Sequence, residues 1–205
     1  MLKKDGKHFI ISAPPSKVIF AELKNKQACN AYRNCISGVF QYKNNTNAIM
    51  IYGSRIIGNS SAHSWLGFPD SCLIYYKDGI FAIKRVTHIS KEELQKIYWA
   101  ISGVGLLDMY SPAVEGYAAF KKNGVRYNYS DVLRKTNHTV IGMKDGEVYG
   151  LYLANMTGAQ VNNYCKKIGL EMAVMLDGGH IAAANTDIGK ANVYQKQHNI
   201  IQFVL

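Results

Sequence analysis

The chain has 205 residues, of which 48% are hydrophobic and 19% charged, with 24 Lys and Arg against 14 Asp and Glu for a formal net charge of +10. That length and apolar content suit one domain, residues 1–205, with its own core. No stretch reaches about 18 uninterrupted apolar residues, which argues against a transmembrane helix, and the lysines are scattered rather than gathered into a nucleic-acid-binding arm.

The start is polar and carries Lys3, Lys4 and Lys7. The apolar run at 9–13 is too short for the core of a signal peptide and meets Pro14-Pro15, so a cytoplasmic location is expected. Lys17 to Phe20 reads as a short strand, as does the run from Ala48 to Tyr52. A helix is expected over about 21–32. The four cysteines, at 29, 35, 72 and 165, make no C-x-x-C pair and are expected to be free thiols in a reducing compartment.

Three hairpins follow, each turning on Asp-Gly or Asn-Gly. Residues 73–76 and 80–83 flank Lys77-Asp78-Gly79. Residues 118–120 and 125–127 flank Lys121-Lys122-Asn123-Gly124, and residues 140–143 and 148–153 flank Lys144-Asp145-Gly146. Between the first two, Ser90-Lys91-Glu92-Glu93 has capping-box spacing. It predicts a helix from 91 to about 100 with Leu94, Ile97 and Tyr98 on one face. Thr157-Gly158-Ala159-Gln160 repeats that spacing before a helix over about 158–168, which carries Val161, Tyr164, Cys165 and Ile168 inward and stops at Gly169. Strand, helix and the apolar run at 172–176 then form a β-α-β unit, the kind of crossover whose strand ends open onto a ligand crevice. The fold class is α+β: one domain with a large mixed, mainly antiparallel sheet and helices packed on it.

The most informative stretch is Met172-Ala173-Val174-Met175-Leu176-Asp177-Gly178-Gly179-His180. It reads either as a buried strand that presents a carboxylate at a sharp glycine turn or as a strand with an ordinary Asp-Gly ending. Asp177 is the leading candidate for a charged catalytic role. His138 and His180 could move protons or grip phosphate near neutral pH. Glycines 38, 103, 178 and 179 could turn backbone N–H groups toward an anion. Ser37, Ser102, Thr139 and Asn185 add hydrogen-bonding groups. No ligand spacing calls for a metal or another cofactor; Asp177 and His180, three apart, come nearest to a ligand pair.

Taken in order, four segments resemble the phosphodiester glycosidase family: Ile36-Ser37-Gly38-Val39-Phe40, Ile101-Ser102-Gly103-Val104-Gly105-Leu106-Leu107, Thr139-Val140-Ile141-Gly142 with its Asp145-Gly146 hairpin, and Leu176-Asp177-Gly178-Gly179. The resemblance spans roughly residues 17–205. It implies a glycosidase-like hydrolase acting on a sugar-phosphate linkage, either a glycosyl phosphodiester or a nucleotide-sugar-like molecule. The family usually has asparagine where this chain has Ser37, arginine where it has His138, and glycine and serines where it has His180, Ile181 and Ala182. Arginine is the better bidentate phosphate ligand, so those changes also support an alternative: a binding or sequestering protein for a phosphorylated sugar or nucleotide, of the kind a phage could encode. On either reading the partner is a phosphate-bearing small molecule, in keeping with the basic charge, and neither a membrane nor a nucleic acid is called for.

Overall fold

The computed structural model describes residues 1–39, 41–42, 45–46, 48–58, 70–86, 88–110, 120–122, 125–127 and 134–205. In chain order the strands of the first half are β1 (Leu2–Asp5), β2 (His8–Ala13), β3 (Val18–Ala28), β4 (Cys35–Ser37), β5 (Gln41–Tyr42), β6 (Asn45–Thr46), β7 (Met50–Tyr52), β8 (Arg55–Ile56), β9 (Asp70–Tyr76) and β10 (Phe81–Val86). Helix α1 (Lys91–Lys96) leads directly into β11 (Ile97–Gly105), followed by β12 (Phe120–Lys122), β13 (Val125–Tyr127), β14 (Thr136–Lys144) and β15 (Glu147–Met156). Helix α2 (Gly158–Lys167), β16 (Met172–Gly178), β17 (Ala184–Thr186), β18 (Gly189–Ala191) and β19 (Lys196–Phe203) complete the chain.

Two sheets dominate this α+β domain. The larger runs β1-β2-β15-β14-β16-β11-β7-β8, with β9 also on β11 and β10 on β9; the smaller runs β18-β17-β4-β19-β3. Every pairing among the described residues is antiparallel. The β15–α2–β16 crossover does bring two strands back in the same direction. It leaves no parallel pair because β14 sits between them, antiparallel to both.

Strand alternation divides the core. Phe9 and Ile11 of β2, Val174 and Leu176 of β16, and Trp99 and Ile101 of β11 face Phe20, Ile36, Ile201 and Phe203 of the smaller sheet. Their neighbours Ile10, Ala173 and Met175 turn to the opposite face, under Val161, Tyr164 and Cys165 of α2. The described residues therefore form a sandwich with α2 behind its larger sheet and α1 contributing Leu94 to the same outer face. β16 lies in the middle, covered on both faces, and its apolar run follows from that.

Sequence and structure agree closely at the hairpins and at α2. Asp145 and Gly146 turn with φ of 51° and 75°, the left-handed pair that a tight two-residue hairpin requires. At the first hairpin Gly79 has φ 89° and the Asp78 carboxylate accepts from Ile80 N at 3.1 Å. In the second, Lys121 and Lys122 belong to β12, with Lys122 opposite Val125; residues 118, 119, 123 and 124 lie outside the described residues. The helix expected over 21–32 is instead the long strand β3, whose partners in β19 are near the other end of the chain (Phe20 opposite Ile201). The helix expected to reach about 100 ends at Lys96. Ile97, Tyr98 and Trp99 continue as strand because β-branched and aromatic residues here gain two antiparallel neighbours, β9 and β7.

Candidate functional site

β16 carries its apolar run to the edge of the sandwich and releases Asp177 there, half-buried. The carboxylate Oδ1 accepts from Gly178 N at 2.9 Å. The main chain of Asp177 is tied to both neighbouring layers: its N–H donates at 3.4 Å to the carbonyl of Gly38, the residue just after β4 of the smaller sheet, and its carbonyl accepts from Thr139 Oγ1 at 3.0 Å in β14. Asp177 thus stands on the seam where the two sheets meet.

Ser37 and Thr139, both fully buried, build the floor of that seam. Ser37 Oγ accepts from Ala183 N at 3.1 Å and lies 3.4 Å from Thr139 Oγ1. Thr139 has one hydroxyl proton and gives it to Asp177 O, so Ser37 must be the donor across the hydroxyl pair. The order is Ala183 N–H to Ser37, Ser37 to Thr139, Thr139 to Asp177. These hydroxyls hold the backbone under the carboxylate, and their partners are protein groups.

The glycines divide into two kinds. Gly179 has φ 71°, and its N–H donates to Asn137 O at 2.9 Å, so it supplies the sharp turn after the acid. Gly38 and Gly103 are glycines for lack of space. A Cβ on Gly38 would strike the side-chain oxygen of Asn199, and one on Gly103 would strike Met175 O. Gly103 therefore packs against β16 two residues before the acid. Gly178 is opposite His138 in the β14–β16 ladder.

His138 is brought to the seam but turned inward. Only 1% of it is exposed, and its Nε2 lies 2.8 Å from Met156 O. A carbonyl can only accept, so Nε2 carries a proton, and the ring pins the end of β15. The proton-transfer role expected of His138 thus meets a side chain already committed to the main chain. His180 is exposed, three residues beyond Asp177. Ser102 and Asn185 are not part of the cluster: Ser102 Oγ accepts from Ile49 N at 2.8 Å, and Asn185 Nδ2 donates to Tyr32 O at 2.6 Å. Phe40 of the first motif lies outside the described residues.

Sequence reading missed Asn199 and Gln197. Asn199 is 1% exposed; its amide donates to Val39 O and to Thr46 Oγ1 (3.4 and 3.1 Å), its main-chain oxygen accepts from Gly38 N, and its side-chain oxygen has no hydrogen-bond partner among the described residues. Gln197 Nε2 donates to Ile181 O at 2.8 Å and anchors the segment that follows the glycine turn. β19 reads Lys-Gln-His-Asn-Ile-Ile-Gln-Phe, and the one available signal was alternation: Gln197 and Asn199 are buried between the exposed Lys196 and the half-buried His198.

An open groove of about 950 Å3 lies apart from this cluster, between the β9–β10 hairpin and α1. Three of its polar side chains bond to one another: Tyr76 donates to Glu93 at 2.8 Å and Lys84 donates to Tyr76 at 2.8 Å. Among the described residues no group of three or more His, Cys, Asp or Glu side chains gathers as a metal site would.

No protein-family model matches the chain, and no curated protein matches it. Among solved structures it is similar to the catalytic domain of zebrafish N-acetylglucosamine-1-phosphodiester alpha-N-acetylglucosaminidase, auto-inhibited by its pro-peptide, with a TM-score of 0.69 and 14% identity over 100% of this chain and 81% of that one. It is also similar to a hypothetical protein from Synechocystis, with a TM-score of 0.58 and 9% identity over 100% of this chain and 61% of that one. At such identities the likeness is one of fold.

Proposed function

We propose that the chain is a glycosidase-like hydrolase for a sugar-phosphate linkage, with Asp177 as its catalytic carboxylate. The observation that carries this reading is the fixing of Asp177 from both sheets at once, through Gly38 and Thr139. Pre-organisation of that kind is what a reacting carboxylate needs. Cleavage at a sugar carbon builds positive charge there, and a carboxylate stabilises or attacks it. A phosphate leaving group departs as an anion, so the remaining demand is to hold negative charge. The exposed His180 beside the turn serves that purpose when protonated. In this reading Ser37, Thr139 and His138 are positioning groups. The fold shared with a phosphodiester glycosidase catalytic domain supports the same class of reaction.

The test is release of reducing sugar from a panel of glycosyl phosphodiesters and nucleotide sugars. Asp177→Asn is expected to lower kcat/KM by about 10²–10⁴-fold, the usual weight of a positioned acid or base, with its melting temperature close to that of the parent. Turnover unaffected by Asp177→Asn would end the assignment. A second reading, ligand capture without turnover, is favoured by the inward commitment of Ser37, Thr139 and His138. It predicts no sugar release but a ligand-dependent rise in melting temperature, worth about 2.7 kcal/mol at a hundred times Kd. A panel that gives neither turnover nor a shift removes both readings.

A further inference from the structure

We propose that Cys29 and Cys35, free thiols in this structure as expected from the sequence, form a disulfide on oxidation that staples the turn leading into β4. Their sulfurs are 2.8 Å apart and both side chains are fully buried. Non-bonded carbon atoms settle at about 3.5–4.0 Å, and sulfur is larger, so these two atoms stand well inside ordinary contact. A disulfide closes at about 2.05 Å, a further approach of about 0.8 Å.

The surroundings hold the pair in place without relying on the sulfurs. Cys29 opens a short 3-10 turn, Cys29–Ala31, and Asn34 returns the chain to β4 at φ 49°. Asn185 Nδ2 donates to Tyr32 O at 2.6 Å and shares its second proton with the carbonyls of Cys29 and Asn30, each 3.4 Å away, bracing the turn from inside. Asp187 closes it from outside by accepting from Arg33 and Asn34. The pairing is also selective: Cys29 and Cys35 share a small cluster with Leu23, Ala183 and Ile200, whereas Cys72 packs beside Ile49 and Ile51 and Cys165 sits on α2, against the far face of the larger sheet.

The co-reactant is a low-molecular-weight disulfide such as oxidised glutathione. One cysteine thiolate attacks it, forms a mixed disulfide and expels one glutathione thiolate. The second cysteine, having given up its proton, attacks the mixed disulfide and expels the other. Two thiols are thereby oxidised and one glutathione disulfide is reduced to two thiols. The hydrogen bond with Cys29, then burial, pushes the Cys35 thiol above its ordinary value, so exchange proceeds through opening of the turn. Once formed, the bond fixes the base of the strand that carries Ser37 and leads to Gly38.

The experiment refolds the full chain from denaturant in oxidised or reduced glutathione and compares the products. The oxidised form is expected to be about 2 Da lighter. Trypsin cuts after Lys26, Arg33 and Lys43, so peptides 27–33 and 34–43 should stay joined until a reductant is added. The oxidised form should melt about 5–10 °C above the reduced one, as expected for a short loop in a chain of this length. A Cys72→Ser/Cys165→Ser variant keeps the pair and should behave identically. A Cys29→Ser variant should lose both the mass change and the joined peptides. Unchanged mass in oxidised glutathione, or a bond from Cys29 or Cys35 to Cys72 or Cys165, overturns the proposal.

Discussion

Thr139 Oγ1 donates to the main-chain oxygen of Asp177 at 3.0 Å while standing 3.4 Å from Ser37 Oγ. Each of the two sheets thus contributes one buried hydroxyl to a single chain of hydrogen bonds, and that chain ends on Asp177, the penultimate residue of β16. Thr139→Val keeps the shape and removes the donor. It leaves the Ser37 hydroxyl with no acceptor at this point, a loss expected to cost about 1–3 kcal/mol. In a chain of this size that is roughly 2–4 °C of melting temperature per kcal/mol. Thr139→Ser should restore most of it. Thermal denaturation of the two variants checks the prediction, and equal stability for Val and Ser would show that the hydroxyl chain contributes nothing.

Gly38 and Asn199 form the second coupling at the seam. A methyl group at 38 has no room beside the Asn199 amide oxygen, and over-filling of this kind costs about 1–3 kcal/mol. Asn199→Ala alone also destabilises, because the Thr46 hydroxyl and Val39 carbonyl lose their donor. Gly38→Ala in the Asn199→Ala background should then cost less than in the parent. A double-mutant cycle by urea denaturation measures this, with an expected interaction of about 0.5–3 kcal/mol. Strict additivity would mean that Gly38 is needed for some reason other than space.

The same residues show where sequence reading succeeds and where it stops. The Asp145-Gly146 turn and the Thr157–Gln160 capping box are local devices, settled by four or five consecutive residues, and both are found as expected. β3 is not local. Its polar stretch from Lys24 to Gln27 looks helical in isolation, and it becomes a strand because β19, at the far end of the chain, lies alongside it. Likewise Ile97 leaves the helix because β9 and β7 await it. At the site, the motif at 176–179 marked the strand end correctly, since an apolar run followed by two glycines is a local pattern. Whether a neighbouring hydroxyl faces a ligand or the backbone is decided by tertiary packing. That is why Ser37, Thr139 and His138 could be selected from the sequence while their hydrogen-bond partners could not, and why Asn199 went unnoticed.

The Asp187 contact gives a pH prediction. Asn34, and after it Arg33, holds the Asp187 carboxyl below the ordinary carboxylate range through hydrogen bonds at 2.9 Å and 2.6 Å. A pKa lower in the folded state than in the unfolded one means that the unfolded chain takes up the proton first as pH falls. The stabilisation is therefore complete above the unfolded value of about 3.9 and disappears as pH drops through the folded value. Asp187→Asn should be less stable than the parent at pH 6, and the two should converge toward pH 3. Urea unfolding across pH 3–6 checks this; a gap that does not narrow on acidification would remove the carboxylate from the account.

Helix α2 supplies the control that separates stability from function. Thr157 accepts from Gln160 N at 3.3 Å and its own N–H donates to the Gln160 side chain at 2.9 Å, so both arms of the capping box are made. Thr157→Ala removes one arm and should cost about 1 kcal/mol, seen as a fall of roughly 2–4 °C in melting temperature and faster hydrogen exchange in the first turn of the helix. Val161, Tyr164 and Cys165 pack on the face of the larger sheet away from the sandwich core, and the cap belongs to that layer. Its loss should leave turnover or ligand affinity unchanged below the melting transition. Thr139→Val, even at a comparable stability loss, should alter them because its hydroxyl holds the carbonyl of Asp177. If both variants change binding or turnover in proportion to their melting temperatures, the Thr139 effect is one of stability alone, and the special position claimed for Asp177 loses its support.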